Sequence, residues 1–237
     1  MRKASLSVIV PTYNNGKNIE NSINSILEQE GPLNLNIDYE IIIVDDASLD
    51  DKFNEVRGLY ANHKNIKILR NKENRGTAYS RNRGLKKAKG QYISFLDADD
   101  LWTKDRLKNI FPNFQDTQID IVIGKTQQKI TCNLVYTGNE KHNAIELRKE
   151  LVGSLVIKRK IIDQGFFFDE EMRLGEDTEW RARLYKADFK CAIIENTTLI
   201  RWIHGSNTTL TSNFTHKGIL MEILHKSVKE NRKNKDT

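Results

Sequence analysis

The stretch QYISFLDADD, residues Gln91 to Asp100, joins two pieces that differ sharply in character. Gln91 to Leu96 is a short apolar run without polar alternation, the pattern of a strand buried on both faces of a sheet. Asp97, Asp99 and Asp100 follow at once, three carboxylates in four residues. One aspartate is enough to cap a helix that starts next. A second and a third add repulsion unless a cation compensates them. The pair Asp97 and Asp99 therefore points to a bound positive charge at a strand end.

Three earlier runs read the same way: LSVIV (Leu6 to Val10), YEIIIV (Tyr39 to Val44) and NIKILR (Asn65 to Arg70). Helical patterns separate them. Ile19, Ile23, Ile26 and Leu27 repeat at helix spacing after the turn signal Asn14-Asn15-Gly16, and Phe53, Val56 and Tyr60 do so in the next segment. Arg75 to Lys89 predicts a third, more polar helix closed by Gly90. Strand, helix, strand in repetition implies right-handed crossovers and an open, Rossmann-like α/β sheet, mostly parallel, with helices on both faces.

Past Asp100 the rhythm breaks. The pattern predicts a helix over Leu101 to Phe114, strands over Ile119 to Gly124 and Gln127 to Tyr136, and a helix over Asp177 to Ala187. Strands over Lys190 to Ile194 and Thr198 to Ile203 follow, then a helix from Phe214 to Val228. Glu146 to Ile162 fits no single element, and Val135 to Gly153 carries no motif.

With 237 residues, 38% hydrophobic and 30% charged, the chain reads as a globular domain with ample length for a core. No apolar stretch approaches the ~20 residues that span a bilayer. The N-terminal apolar run stops at Pro11, too soon for a signal peptide, and two cysteines, Cys132 and Cys191, make no disulfide framework. A cytoplasmic protein is the expectation. The net charge of +6 is concentrated around Arg70 to Lys89 and in the tail His225 to Lys235. It comes without zinc-finger spacing or an aromatic RNA-binding strand, so a nucleic-acid partner is not expected. A basic tail beside an amphipathic helix leaves room for weak peripheral contact with the inner face of an anionic membrane.

In open parallel sheets ligands sit beyond the carboxyl ends of the strands, where the strand order switches. The unusual polar groups fall there: Pro11-Thr12-Tyr13-Asn14, Asp45-Asp46-Ala47-Ser48 and Asp97-Ala98-Asp99. Asp45 and Asp46 read equally as turn residues, and Tyr13 equally as an aromatic at the core edge. A dinucleotide oxidoreductase would need a Gly-rich loop after the first strand, where PTYNNG stands instead, and there is no P-loop. Mg²⁺ or Mn²⁺ offers another way to hold phosphates. Such an ion takes one or two carboxylates and fills its remaining positions with waters and phosphate oxygens.

SVIVPTYNNGKNIENSINSIL, EIIIVDDASLD, NRGTAYSRNRGLKKAKGQYISFLDADD and GEDTEWRARLY, taken together in that order, resemble the family 2 inverting glycosyltransferases with the GT-A fold. The resemblance implies a GT-A domain over residues 1–212, with a nucleotide-binding half up to about residue 100 and an acceptor half after it, then a C-terminal helix and basic tail over 213–237. It implies that Pro11, Thr12 and Tyr13 line the base pocket and that Asp46, beside Asp45, accepts a hydrogen bond from the base. Arg75, Gly76, Arg81 and Asn82 would border the nucleotide and diphosphate, with Asp97 near the ribose. Asp99 and His204 would hold Mn²⁺ or Mg²⁺, and Asp177 would be the general base, with Glu176 beside the acceptor. The donor implied is a UDP-sugar and the acceptor a saccharide or a lipid-linked one, in cell-surface polysaccharide or glycoconjugate synthesis. Asp177 is also compatible with a helix N-cap, though the base reading is favoured, and His204 reads equally as an ordinary strand-end histidine. A nucleotide-sugar-binding protein without transfer activity is the alternative, against which three retained carboxylates argue. A nucleotidyltransferase of similar architecture would need a Gly-rich basic loop after the first strand.

Overall fold

A computed structural model describes residues 4–30, 37–130 and 151–203. The first four strands are β1 (Ala4–Thr12), β2 (Ile37–Asp45), β3 (Ile66–Arg70) and β4 (Tyr92–Phe95). They alternate with α1 (Ile19–Leu27), α2 (Asp51–Tyr60) and α3 (Thr77–Lys87). Next come β5 (Leu101–Trp102), α4 (Arg106–Ile110), a 3₁₀ turn over Phe111–Gln115 and β6 (Ile121–Ile130). After a second 3₁₀ turn at Val152–Ser154 follow β7 (Leu155–Lys158), α5 (Lys160–Asp163), α6 (Glu176–Lys186) and β8 (Cys191–Ile203). The remainder of the strand expected to reach Tyr136, His204, the helix expected over Phe214 to Val228 and the basic tail lie outside the described residues.

All eight strands form one sheet in the order β3-β2-β1-β4-β7-β6-β8-β5. β1 pairs in parallel with β2 and β4, β2 with β3, and β6 with β8, while the pairs β4–β7, β6–β7 and β5–β8 are antiparallel. The chain builds outward from β1 to β3, then returns to place β4 on the other side of β1. That reversal is the switch point at which open sheets bind ligands.

β1, β4 and the second half of β2 lack polar alternation because both faces are covered, whereas β3, at the sheet edge and expected to be buried on both faces, is only half-buried. Leu6, Val8, Val10, Ile41 and Ile43 join a core with Ile19, Ile23 and Ile26 of α1, Phe53, Val56 and Tyr60 of α2, and Leu107 and Ile110 of α4. Ile9, Ile42, Val44, Ile93 and Phe95 point the other way, into a core with Ala78 and Leu85 of α3, Ile161 and Ile162 of α5, and Trp180 and Leu184 of α6. Successive side chains of a strand alternate faces, so each run fills both cores at once.

Gly84 sets how close α3 comes to the sheet. A Cβ there would lie 2.5 Å from Ile9 Cγ2, so the helix rests directly on β1. Three expectations need correction. Leu101 to Phe114 is not one helix: Leu101 and Trp102 pair with Ile200 and Leu199 of β8, and Pro112 falls in a 3₁₀ turn. The two short strands expected after Lys190 are one, β8, running straight through Glu195-Asn196-Thr197. Ile119 to Gly124 and the start of the next expected strand are likewise joined, in β6, which takes up the mismatch with β8 as register shifts between Ile123 and Thr126.

Candidate active site

The ends of β1, β2 and β4 meet as neighbours, Pro11 opposite Val44 and Thr12 opposite Asp45. Pro11 and Thr12 are buried, and the backbone carbonyl of Thr12 accepts a hydrogen bond from the Asp46 N–H at 2.8 Å. Tyr13 is 46% exposed, so it is a rim aromatic rather than a core one. Asn14 adopts a left-handed φ of 49°, and its side-chain oxygen accepts from the Leu49 N–H at 2.7 Å. The turn after β1 is thereby fastened to the turn after β2.

Asp45 and Asp46 divide the work at the end of β2. Asp45 is fully buried: it accepts from the Ser48 N–H at 3.0 Å and pairs with Arg70 Nη1 at 3.0 Å, a turn-holding role. The Asp46 carboxylate accepts from Asn71 Nδ2 at 2.6 Å, the Arg75 N–H at 2.9 Å and the Gly76 N–H at 2.7 Å. A carboxylate has about four acceptor positions, so these three bonds leave room for one more. Asn71, which sequence reasoning missed, also donates to Ser80 Oγ at 3.0 Å and accepts from Arg83 Nη1 at 2.5 Å. The loop 71–76 is therefore tied down at both ends.

Arg75 is exposed and lies over the Tyr79 ring at 4.2 Å. Gly76 has φ +90°, and a Cβ on it would sit 3.4 Å from Arg173 Nη1. The loop that precedes α6 thus touches the loop that precedes α3. Asn82, expected to border the diphosphate, is buried instead. Its amide donates to the Phe168 carbonyl at 2.8 Å and Glu170 Oε1 at 2.9 Å, and its oxygen accepts from the Phe168 N–H at 2.9 Å. Its observed part is to fasten the 166–170 segment to α3.

After β4, Asp97 and Asp99 are half-buried and Asp100 is buried. Asp97 Oδ1 accepts from Arg81 Nη2 at 2.7 Å. Asp100 Oδ1 accepts from the Trp202 N–H at 3.2 Å, which draws the end of β8 toward the carboxylate loop. Burial, then the charges of Asp97 and Asp99, push the Asp100 carboxyl up to about 8, against the opposing pull of Arg201 and the Trp202 N–H.

Across the crevice, Glu176 opens α6 and accepts from Arg81 Nη1 at 2.9 Å. Burial raises the Glu176 carboxyl; Arg81 pulls it down, Asp177 and Asp97 push it back up, and the net direction is upward. Asp177 follows, with Oδ1 accepting from the Thr178 N–H at 2.7 Å and Oδ2 facing Arg181 Nη2 at 3.5 Å. Burial alone would lower the Arg81 guanidinium, but Asp97, Glu176 and Asp177 more than offset it and hold it fully charged.

Among the described residues no group of three or more His, Cys, Asp and Glu side chains encloses an ion. The acidic loop nonetheless fits a divalent cation that takes one or two protein carboxylates and completes its shell from substrate and water. The observation is the donor set itself: Asp97, Asp99 and Asp100 crowd into four residues at the end of β4, with Asp97 and Asp99 only half-buried. His204 lies one residue beyond the described end of β8.

An open sheet of this order, with a carboxylate loop at its switch point, is the architecture of GT-A enzymes. Residues 7–178 match Glycosyl transferase family 2, and the chain belongs to that family. It is 39% identical over 106 residues to the putative teichuronic acid biosynthesis glycosyltransferase TuaG of Bacillus subtilis, covering 45% of this chain and 40% of that one. To the poly(ribitol-phosphate) β-N-acetylglucosaminyltransferase TarS of Staphylococcus aureus it is 29% identical over 188 residues, 76% of this chain and 32% of that one. The chain thus spans less than half the length of either relative. The crystal structure of TarS residues 1–349 with UDP-GlcNAc superposes with a TM-score of 0.71 at 23% identity, covering 92% of this chain and 65% of that one. The Pyrobaculum calidifontis mannosyltransferase PcManGT, in complex with GDP-Man and Mn²⁺, superposes with a TM-score of 0.67 at 21% identity, covering 87% and 59%. No helix among the described residues is long and apolar enough to cross a membrane.

Proposed function

We propose that this protein transfers a sugar from a UDP-sugar to an acceptor hydroxyl, by single displacement with inversion, in the synthesis of a cell-surface polysaccharide or glycoconjugate. The observation that carries the reading is the separation of two acidic groups in one crevice. Asp97 and Asp99 stand on the β4 loop at the switch point, and Asp177 stands at the start of α6, with Arg81 between. The family match and the UDP-GlcNAc complex of TarS support the donor class.

Pro11, Thr12, Tyr13 and Asp46 hold the base, and Asp97 faces the ribose. Asp45 shapes the turn beneath the base, while Arg75 and Gly76 border the diphosphate. Asp99 and His204 would hold Mn²⁺ or Mg²⁺, which when bound would neutralise charge on the departing diphosphate. Asp177 takes the proton of the acceptor hydroxyl as that oxygen bonds to the anomeric carbon from the face opposite the leaving oxygen, whose bond breaks. Glu176 lies beside the acceptor. The acceptor is a saccharide or a lipid-linked one, reached from the cytoplasmic face of the membrane.

Calorimetry of UDP binding, with Mn²⁺ and with EDTA, tests the donor half. Affinity should fall when the metal is chelated and in Asp99→Ala. Asp177→Asn should keep UDP affinity and lose ~10²–10⁴-fold in turnover. The product's anomeric configuration, read by NMR, should be opposite to the donor's. Retention of configuration, or near-normal turnover of Asp177→Asn, would overturn the mechanism.

A further inference from the structure

Arg81 is 3% exposed, yet its guanidinium meets two carboxylates from separate parts of the chain, the loop after β4 and the start of α6. Nη2 lies 2.7 Å from Asp97 Oδ1, on the loop two residues before Asp99. Nη1 lies 2.9 Å from Glu176 Oε1, directly before Asp177. The floor beneath is aromatic: the guanidinium sits 5.3 Å from the Phe168 ring, which stacks on Trp180 at 4.5 Å, and Phe95 packs edge-on against both. Asn82, the next residue, grips the N–H and carbonyl of Phe168. One turn along the same helix, Gly84 seats α3 on Ile9. The guanidinium is thus fixed from below, from the side and through its helix.

We infer that Arg81 is a positioning residue that couples the carboxylate loop after β4 to the helix carrying Asp177, and is not a ligand of the donor diphosphate. Each terminal nitrogen already donates one of its two hydrogens to a carboxylate, the whole residue is 3% exposed, and the Nε–H is buried without a hydrogen-bond partner. A planar fork can hold two carboxylates at a fixed separation, which the point charge of a lysine cannot. Because the fork is rigid, a shift of Asp97 on donor binding is transmitted to Glu176, and so to its neighbour Asp177. The inference rests on the proposed function only for the choice of UDP and Mn²⁺ as probes.

The test is a double-mutant cycle on the full chain: Asp97→Asn, Glu176→Gln and both together, in the parent and in Arg81→Met and Arg81→Lys backgrounds. Two quantities are read for every variant: the affinity for UDP with Mn²⁺, and the unfolding equilibrium in urea without ligand. Asp97 and Glu176 share no hydrogen bond with each other but also repel through space, and the Arg81→Met and Arg81→Lys backgrounds separate coupling through the fork from that repulsion. In the parent, the effect of Asp97→Asn on UDP affinity should change by about tenfold when Glu176→Gln is present. In both Arg81 variants that coupling should shrink to within about twofold. Additive effects in the parent would overturn the inference, as would coupling that survives Arg81→Lys. Arg81→Met weakening UDP equally with Mn²⁺ and with EDTA, beside an inert Glu176→Gln, would make Arg81 a diphosphate ligand instead. Should the parent bind no UDP, the function proposed above fails by itself. The urea cycle then still decides the bridge, since additivity there would remove it. Should Arg81→Met not fold, the parent cycle and Arg81→Lys carry the decision.

Discussion

Gly84→Ala sets two effects of similar size against each other, and the structure says which should win. Alanine in a helix interior is favoured over glycine by about 1 kcal/mol. The added methyl, however, would lie 2.5 Å from Ile9 Cγ2, 3.2 Å from Cγ1 and 3.4 Å from Cβ. Carbon atoms in good contact stand about 3.5–4.0 Å apart, so relief requires a shift of roughly an ångström. Ile9 cannot give way easily: it is fully buried on β1, with β2 and β4 on either side. Overpacking of this kind typically costs about 1–3 kcal/mol. The expected net result is a loss of up to about 2 kcal/mol, toward the upper end because a 2.5 Å contact with a buried β-branched side chain is severe, read as a lower midpoint in urea with an unchanged slope. An outward step of α3 also draws Arg81 from its 2.7 and 2.9 Å contacts, so turnover should fall further than stability alone explains. In an Ile9→Ala background the clash is gone, and Gly84→Ala should become neutral or stabilising by up to about 1 kcal/mol. A single Gly84→Ala variant as stable as its parent would refute the reasoning, because α3 could not then rest on Ile9.

Three further outcomes are expected. Asp100 titrates from 3.8 in the unfolded chain to about 8 in the folded one, so the folded state holds the proton more firmly. Metal-free stability should therefore decline as pH rises from about 4 to about 8, by a few kcal/mol relative to Asp100→Asn, whose profile lacks that decline; parallel urea titrations check it. Asn82→Ala should cost about 2–3 kcal/mol, and Asn82→Asp more, because a carboxylate would face the Phe168 carbonyl and Glu170; equal losses in the two variants would contradict the assigned bonds. Asp46→Ala should weaken uridine and UDP binding alike and loosen the 71–76 loop, seen as faster amide exchange at Arg75 and Gly76; loss confined to UDP would move Asp46 away from the base.

β1, β2 and β4 were legible because a run buried on both faces has a plain signature, and Leu6–Val10 and Tyr39–Val44 carry it, whereas β3 was found by its β-branched run though it is only half-buried. Where two signals competed, the reading failed. Leu101 and Trp102 look helical in sequence but are captured by β8, about a hundred residues on, which no local pattern encodes. The sequence suggests a break between Ile194 and Thr198, yet β8 runs on through it because β6 pairs with it on both sides, at Ile193 and at Thr197, across a register shift. The strand-end carboxylates stood out by their density. Their partners did not: Asp46 meets Arg75 and Gly76 across about thirty residues, and Arg81 meets Glu176 across 95. Spacing along the chain reveals which residues are chemically unusual, whereas long-range pairing determines which of them hold the site together and which remain to face a ligand.

The antiparallel pairing of β4 with β7 has a consequence for synthesis. When Gln91 to Asp100 leave the ribosome, β4 can add to β1 at once, but its outer edge waits until Leu155–Lys158 exist. For that interval a nascent sheet exposes an unpaired apolar edge, the kind of surface that recruits wrong partners. The same interval postpones the crowding of charge beside it. Asp97 can meet Arg81 as soon as it emerges, but Asp100 meets the Trp202 N–H, and Arg81 meets Glu176, only after most of the described chain has emerged. The hydrophobic scaffold can therefore assemble before its most self-repelling loop is closed, and the carboxylate crevice matures last.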